Sequence, residues 1–260
     1  MSREEFEQDK IKYEALNKDI RFILKEKHEY FCPNDKYSSN SLIGGNYFVQ
    51  DIWGARKVLK QKPEIHYDIG SSTQGFIAHL MAFHQKTVLI DIRVQDNKNL
   101  NTNFLNELNG GLTYLQSDAT NLENIKDESL ESLSALCSVE HFGLGRYGDS
   151  IDPEAWKKAL KAFQRVLKPG GKLFFSVPIG KEDKVCFNAH RVFNPMTIIE
   201  NLDQMCIDEL SYISDLCETR MCIFRNNEKV IFDHDILKNI PDSDKGGPTG
   251  LFEFTKQKGN

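Results

Sequence analysis

The stretch that most limits how this chain can fold is Ile65–Phe76, "IHYDIGSSTQGF". An apolar run ends in an aspartate, then a glycine, small polar residues and a second glycine. A helix-spaced apolar run, "GFIAHLMAF", follows. That pattern is a strand handing over to a helix. Beyond it, strand and helix signals alternate. "TVLIDI" (87–92) reads as a short buried strand, and "NLNTNFLNEL" (99–108) as a helix on Leu100, Phe104 and Leu108 closed by Asn109-Gly110-Gly111. "LTYLQ" and "LSALCSV" are two more strands. Asp152 can cap the next helix, with Pro153 at its first position and Trp156, Ala159, Leu160, Phe163, Val166 and Leu167 on its apolar face. "KPGG" (168–171) reads as a turn and "KLFFSVP" as the fifth strand. "NPMTIIENLDQM" reads as a helix, "DELSYIS" as a strand and "GLFEFTK" (250–256) as a last strand.

Alternating β and α units imply a parallel sheet covered on both faces, and right-handed crossovers make it doubly wound. Upstream, residues 9–27 place Leu16, Ile20, Ile23 and Leu24 on one helical face. Cys32–Asn46 is a loop, and residues 47–60 form a helix with Phe48, Ile52, Ala55 and Leu59 on one side. The expected organisation is an N-terminal helical cover (1–60) and one ligand-binding domain (61–260). A polar, irregular excursion at about 217–249 interrupts that domain.

A net charge of −5 offers no bulk grip on nucleic acid. No apolar run approaches the roughly 20 residues that span a bilayer. The charged opening "MSREEFEQDKIKYEALNKDIRF" has no apolar segment of a signal peptide, so a cytoplasmic protein is expected. The six cysteines form no Cys-x-x-Cys pair and fit no zinc spacing, which points to scattered reduced thiols and no metal.

The order Gly70, Ser72, Gly75 matches G-x-G-x-x-G with serine in the middle, a weak signal by itself. In a dinucleotide site the middle glycine admits the pyrophosphate. Ser72 obstructs that approach, and the Asp68 carboxylate at the strand end would repel a diphosphate. A ligand that is cationic there, or one that offers a hydrogen-bond donor, fits better; S-adenosylmethionine (SAM) has sulfonium and ammonium groups and no phosphate. Asp91 ends the second strand, where an acid reaches ribose hydroxyls. Asp118 follows the third, where an acid can accept from an adenine amine. Three acids ending consecutive strands would line one edge of the sheet.

"YDIGSSTQGF", "VLIDIRV", "QSDATNL" and "LKPGGKLFFSVP" resemble the successive motifs of class I SAM-dependent methyltransferases, from roughly Tyr47 to Ile199 plus the last strand. "SVEHFGLGRYGDSIDP" and "VCFNAHRVFNP" resemble a bacterial domain-of-unknown-function branch of methyltransferase-like proteins often encoded with capsule and lipopolysaccharide enzymes. The resemblance implies a Rossmann-like, mostly parallel seven-stranded sheet. It also implies SAM held by Asp68, Gly70, Ser71, Ser72, Gly75, Asp91, Ile92, Asp118 and Ala119, with Tyr47 and Gln50 closing over the methionine end.

Methyl transfer to a hydroxyl needs a proton acceptor, and His141, beside Glu140 after the fourth strand, is the first candidate. His190 in "FNAHRVF" is the second. Arg146, Tyr147 and Asp149 in "GLGRYGD", with Asn188 and Arg191, are the candidate substrate contacts, the arginines as anion grips. The expected activity is O-methylation of a small anionic sugar or sugar-nucleotide precursor of surface polysaccharide. The rivals are an NAD(P)-dependent sugar oxidoreductase and a SAM-fold binding protein without catalysis. No nucleic-acid or membrane partner is expected, and a homo-oligomer is left open.

Overall fold

A computed structural model of the chain describes residues 1–38, 44–94, 111–226 and 229–258. The helix expected at 99–108 lies outside them. The described residues divide into two compact units, Met1–Ile43 and Gly44–Asn260. The division at 43/44 replaces the one expected at 60/61. The second helix belongs to the larger unit because Val58 and Ala55 pack into a core with Phe76, Ile77 and Leu80.

In the first unit, α1 (Arg3–Leu16) opens on a reciprocal capping box between Ser2 and Glu5. It ends at Leu16, well short of the expected residue 27. Asn17 leaves the helix in an extended conformation. Its side chain accepts from the Asp19 amide, and Asp19 in turn accepts from the Arg21 amide. These local bonds offer the backbone an alternative to the helical ladder. Leu16 and Ile20 are then 68% and 84% exposed instead of sharing a buried face. Phe6 packs edge-on against Phe31, with Arg3 over both rings.

In the second unit, α2 (Asn46–Gln61) leads into β1 (His66–Ile69), α3 (Phe76–Ala82), β2 (Thr87–Asp91), β3 (Leu112–Gln116) and β4 (Leu130–Leu136). Next come α4 (Ala155–Val166), β5 (Leu167–Pro178), the small β6–β7 ribbon (Lys184–Cys186 and His190–Val192), α5 (Pro195–Asn201) and β8 (Met205–Ile213). The chain finishes through β9 (Thr219–Asn226), β10 (Lys229–Phe232), α6 (His234–Lys238) and β11 (Thr249–Lys256). The main sheet has nine strands in the order β10-β9-β8-β11-β5-β4-β1-β2-β3. From β5 to β3 every pairing is parallel, and from β5 to β10 every pairing is antiparallel. The sheet is therefore mixed rather than a mostly parallel seven-stranded one. The two extra strands come from the segment expected to be irregular. β9 and β10 extend the sheet outward, and of β9 only Cys222 and Ile223 are buried.

Both faces of the sheet are covered. One face buries Ile69, Leu133 and Phe175 beneath Trp156, Leu160 and Phe163 of α4, whose apolar positions recur at helical spacing as expected. The helix itself begins at Ala155, and Asp152 instead closes the preceding turn by accepting from the Glu154 amide. The other face buries Leu89, Leu136 and Phe174 beneath α2 and α3. On α2 the buried stripe is Gln50, Gly54, Ala55 and Val58, whereas Phe48 and Leu59 are exposed. "KPGG" does not interrupt β5. It is accommodated as an irregularity where pairing with β4 steps from Leu130↔Leu167 to Ser132↔Lys172, with Gly170 at φ +80°. A charge ladder of Lys57, Glu209, Glu253, Lys172, Asp208 and Arg225 ties α2 across β8, β11, β5 and β9. No described helix is long and apolar enough to cross a membrane.

Candidate functional site

The parallel half of the sheet ends on one edge, and a cavity of about 190 Å³ opens there. The turns after β1, β2, β3 and β4 all reach it, through Gly70, Asp91, Asp118 and Ser138, and α4 closes one side with Ala155. Ligands of open α/β sheets bind at such carboxyl ends. Gly70 has φ +74°, and a Cβ there would approach Ser138 Cβ to 3.4 Å, so the turn after β1 requires glycine. Cys137 takes φ +47°, a costly conformation for a side-chain-bearing residue, and turns the chain sharply after β4.

Of the residues expected to hold a cofactor, Gly70, Asp91, Ile92, Asp118 and Ala119 line the cavity. Asp91 is engaged by Arg93, whose Nε donates at 2.9 Å and Nη2 at 2.5 Å. Arg93 also lies 4.8 Å over the Tyr147 ring. Asp118 Oδ1 accepts from the Thr120 amide at 2.8 Å. The remaining cofactor candidates are placed elsewhere. Asp68 is 0% exposed. It accepts from the amide and hydroxyl of Ser71, and Ser134 Oγ lies 2.5 Å from it. Asp68 therefore holds the turn, and the expected attraction of a strand-end carboxylate for a cationic ligand is not what it supplies. Burial pushes it up to about 6. Ser72 shapes the same turn by accepting from the Gln74 amide. A Cβ on Gly75 would fall 2.3 Å from Asp51 Oδ2, so Gly75 admits α2 close to α3. Gln50 is buried and accepts from Ser176 Oγ at 2.7 Å, and Tyr47 is exposed.

The turn after β4 gathers the proton-handling groups. His141 Nδ1 lies 2.6 Å from the Ala189 carbonyl, which can only accept, so Nδ1 carries the hydrogen and Nε2 keeps a free lone pair. Arg146 Nη1 donates to the same carbonyl at 3.0 Å. Burial holds His141 down at about 4, so the ring is neutral near pH 7. Glu140 is 2% exposed and is pushed by burial up to about 8. Glu140 Oε1 stands 3.7 Å from His141 Nε2. With the histidine low and the carboxyl high, this is a neutral pair at pH 7 and not a salt bridge. Glu140 Oε2 and Ser138 Oγ are buried without a hydrogen-bond partner among the described residues. Unpaired buried polar atoms cost stability, and two of them lie together in the turn that borders the cavity.

The expected substrate contacts divide as well. Tyr147 and Asp149 line the cavity, and the Tyr147 ring meets His141 edge-on at 5.4 Å. Asp149 is spent on its own loop, accepting from the amides of Gly143, Gly145 and Tyr147. Arg191 is buried and donates to the carbonyls of Phe142 and Pro153, so it braces two loops and is not a free anion grip. Asn188 turns the β6–β7 ribbon at φ +63°. His190 Nε2 lies 3.1 Å from the Lys245 carbonyl. Neither residue lines the cavity. Sequence reasoning missed Ser138 and Arg93. The arginine was visible two residues after Asp91 in "VLIDIRV", but only the fold brings it over Tyr147. Among the described residues no group of three or more His, Cys, Asp or Glu is placed to hold a metal.

Solved structures with this architecture are numerous. The chain overlays a Burkholderia thailandensis 1,6-didemethyltoxoflavin-N1-methyltransferase, determined with 1,6-didemethyltoxoflavin and S-adenosylhomocysteine bound, with TM-score 0.54 and 11% identity over 82% of this chain and 80% of that one. The [4+2]-cyclase SpnF gives TM-score 0.55 and 15% identity over 80% and 82%. The Bacillus subtilis YcgJ protein gives 0.52 and 13% over 81% and 99%. These similarities establish a Rossmann-like methyltransferase fold. None of the three names capsule or lipopolysaccharide synthesis. No curated protein matches. A model of the family described as "Caenorhabditis protein of unknown function, DUF268" matches residues 73–218, more than half of the chain and nearly all of the cavity's turns, and the chain belongs to that family.

Proposed function

We propose that this chain is a SAM-dependent methyltransferase that transfers the methyl group to the oxygen of a small acceptor. The observation that carries this reading is the pairing of two features on one sheet edge. Asp91 and Asp118 line the cavity at the ends of β2 and β3. Beside them, after β4, lies a buried cluster with unspent hydrogen-bonding capacity. The first suits a nucleoside and the second suits a reacting hydroxyl. Bound there, SAM would supply a methyl group already activated on sulfonium, so positioning contributes much of the rate.

Asp91 would accept from ribose hydroxyls, sharing its oxygens with Arg93 or releasing it. Asp118 would accept from the adenine amine, and Gly70 admits the ligand without a side chain. Ser138 and Glu140 would hydrogen-bond the acceptor hydroxyl. His141 Nε2 would take its proton as the methyl group replaces it, while the Ala189 carbonyl keeps Nδ1–H in place. The preference for a sugar or sugar nucleotide now rests on Arg146 alone, because Arg191 is committed to backbone carbonyls. Arg146 is exposed and retains N–H groups beyond the one given to Ala189.

SpnF shows that the architecture also hosts chemistry other than methyl transfer, so fold alone does not fix the reaction. The test is calorimetric titration of the full chain with SAM and S-adenosylhomocysteine. Saturable binding of both, each displacing the other, is expected. Indifference to both overturns the cofactor. Binding of both, with no acceptor in a hydroxylated-metabolite and nucleotide-sugar pool gaining a methyl group by mass, overturns the O-methyl reading.

A further inference from the structure

The polar side chains on the α2 face of β1 and β4 do not touch the cavity, and their hydrogens can be counted. Gln61 Nε2 donates to the Glu131 carbonyl at 2.7 Å, which fixes the amide orientation. Gln61 Oε1 then faces Ser132 Oγ at 2.6 Å and can only accept. Ser132 has one hydroxyl hydrogen and spends it there. It must therefore accept from His66 Nδ1, 2.8 Å away, so Nδ1 carries a hydrogen. On the other side of the ring, Ser134 Oγ lies 2.8 Å from His66 Nε2 and 2.5 Å from Asp68 Oδ1.

Two arrangements satisfy every contact. With a neutral ring, Nε2 has only a lone pair, Ser134 spends its hydrogen on it, and the hydrogen between Ser134 and Asp68 belongs to the carboxyl group. With an imidazolium, Nε2 donates to Ser134, and Ser134 donates to a carboxylate. In both, His66 and Asp68 together hold one proton more than a neutral imidazole and an ionised carboxylate. All four of His66, Asp68, Ser132 and Ser134 are fully buried, which favours the arrangement without charges. Burial moves the two groups accordingly, His66 down to about 3 and Asp68 up to about 6.

We propose that Asp68 is a neutral carboxylic acid in the folded protein at mildly acid pH. It heads a one-way donor chain Asp68→Ser134→His66→Ser132→Gln61 and acts as a positioning residue for the turn that forms the floor of the cavity. The chain has a polarity. Loss of the proton would turn Ser134 toward Asp68, make Nε2 the donor and Nδ1 the acceptor, and draw the Ser132 hydrogen away from Gln61. The C-terminal end of α2 would lose one of its two ties to β4, keeping the Gln61 bond to the Glu131 carbonyl, and the Ser71 amide and hydroxyl would face an anion instead of an acid. Among the described residues, the charged group acting on Asp68 from α2 is Asp51, which resists ionisation of its neighbour. His79 of α3 acts on Asp51 in turn. Against His66 stand the Phe76 ring of α3 and the Phe174 ring of β5, and β4 presents only serines. This assignment stands whatever ligand the cavity takes.

The test is infrared difference spectroscopy of the full chain against D68N at mildly acid pH, joined to unfolding measured across pH. Asparagine reproduces the neutral acid: its Nδ2 donates to Ser134 while its Oδ1 accepts from the Ser71 amide. The wild type is expected to show a buried, protonated-carboxyl band that D68N lacks. Glu140 contributes to both spectra and cancels. Because the folded-state value lies above the unfolded one, the wild type should match D68N in stability below the usual aspartate range. It should fall behind D68N as pH rises from about 4 to about 6. Absence of a lost band, or a D68N protein less stable than wild type at every pH, overturns the proposal. Should D68N fail to fold, S134A supplies the second reading. Removing the acceptor must shift the Asp68 carboxyl band, and an unmoved band overturns the proposal equally.

Discussion

Two buried polar clusters lie within one stretch of sheet and are built on opposite terms. On the α2 face, His66, Asp68, Ser132, Ser134 and Gln61 form a closed chain in which each donor meets an acceptor. At the turn after β4, Ser138 and Glu140 are buried with unpaired atoms, and His141 keeps a free Nε2. Both clusters contain a histidine held down and a carboxyl pushed up by burial. Perturbed ionisation therefore does not separate them. What separates them is whether the hydrogen bonds close: a closed set rigidifies the sheet, and an open one beside a cavity is available to a ligand.

Three substitutions sharpen or break that contrast. The largest expected effect is on turnover at the open cluster. With SAM and a competent acceptor, H141A should lower kcat by roughly 10²–10⁴-fold with little change in SAM affinity, the usual contribution of a positioned base. A kcat within a few-fold of wild type would remove His141 from the chemistry.

Next comes E140Q, whose expected effect is on stability. Glu140 is raised from 4.5 to about 8 in the folded chain, so it penalises folding progressively as pH rises through that window. Its neutral counterpart should unfold with the wild type near pH 4 and be more stable than wild type at pH 8, by about 2–4 kcal/mol. Chemical denaturation at the two pH values reads this, and a variant less stable at pH 8 would show the carboxylate to be paired.

The smallest effect falls on the closed cluster. S134A should cost about 1–3 kcal/mol at every pH, because it strands both His66 and Asp68. If S134A were neutral, the chain would not be the closed set described above.

Much of the parallel half was legible in the sequence. The strand-to-helix stretch at Ile65–Phe76, the acids at Asp91 and Asp118, and the helical face of Trp156 to Val166 reflect local periodicity and turn chemistry, which a short window of residues carries. The antiparallel half was harder. The buried residues of β9, Cys222 and Ile223, are adjacent rather than alternate, and β10 is only four residues long, so the period-2 signal is weak and pairing outward from β8 makes them strands. The site was readable as a set of positions but not as a set of roles. Asp68, Arg191 and Asp149 are residue types that bind ligands, and here each is consumed by backbone amides, carbonyls or neighbouring hydroxyls.

The sequence by itself determined the alternation of elements, the glycine at position 70 and the acids that end successive strands, because these depend on backbone conformation and near neighbours in the chain. Only the tertiary structure decided which polar groups are spent and which remain free. Hydrogen bonds such as Gln61 to Glu131 or His141 to Ala189 join residues 70 and 48 positions apart. No local pattern encodes whether such a bond forms, and the capacity of a site for chemistry is what those bonds leave over.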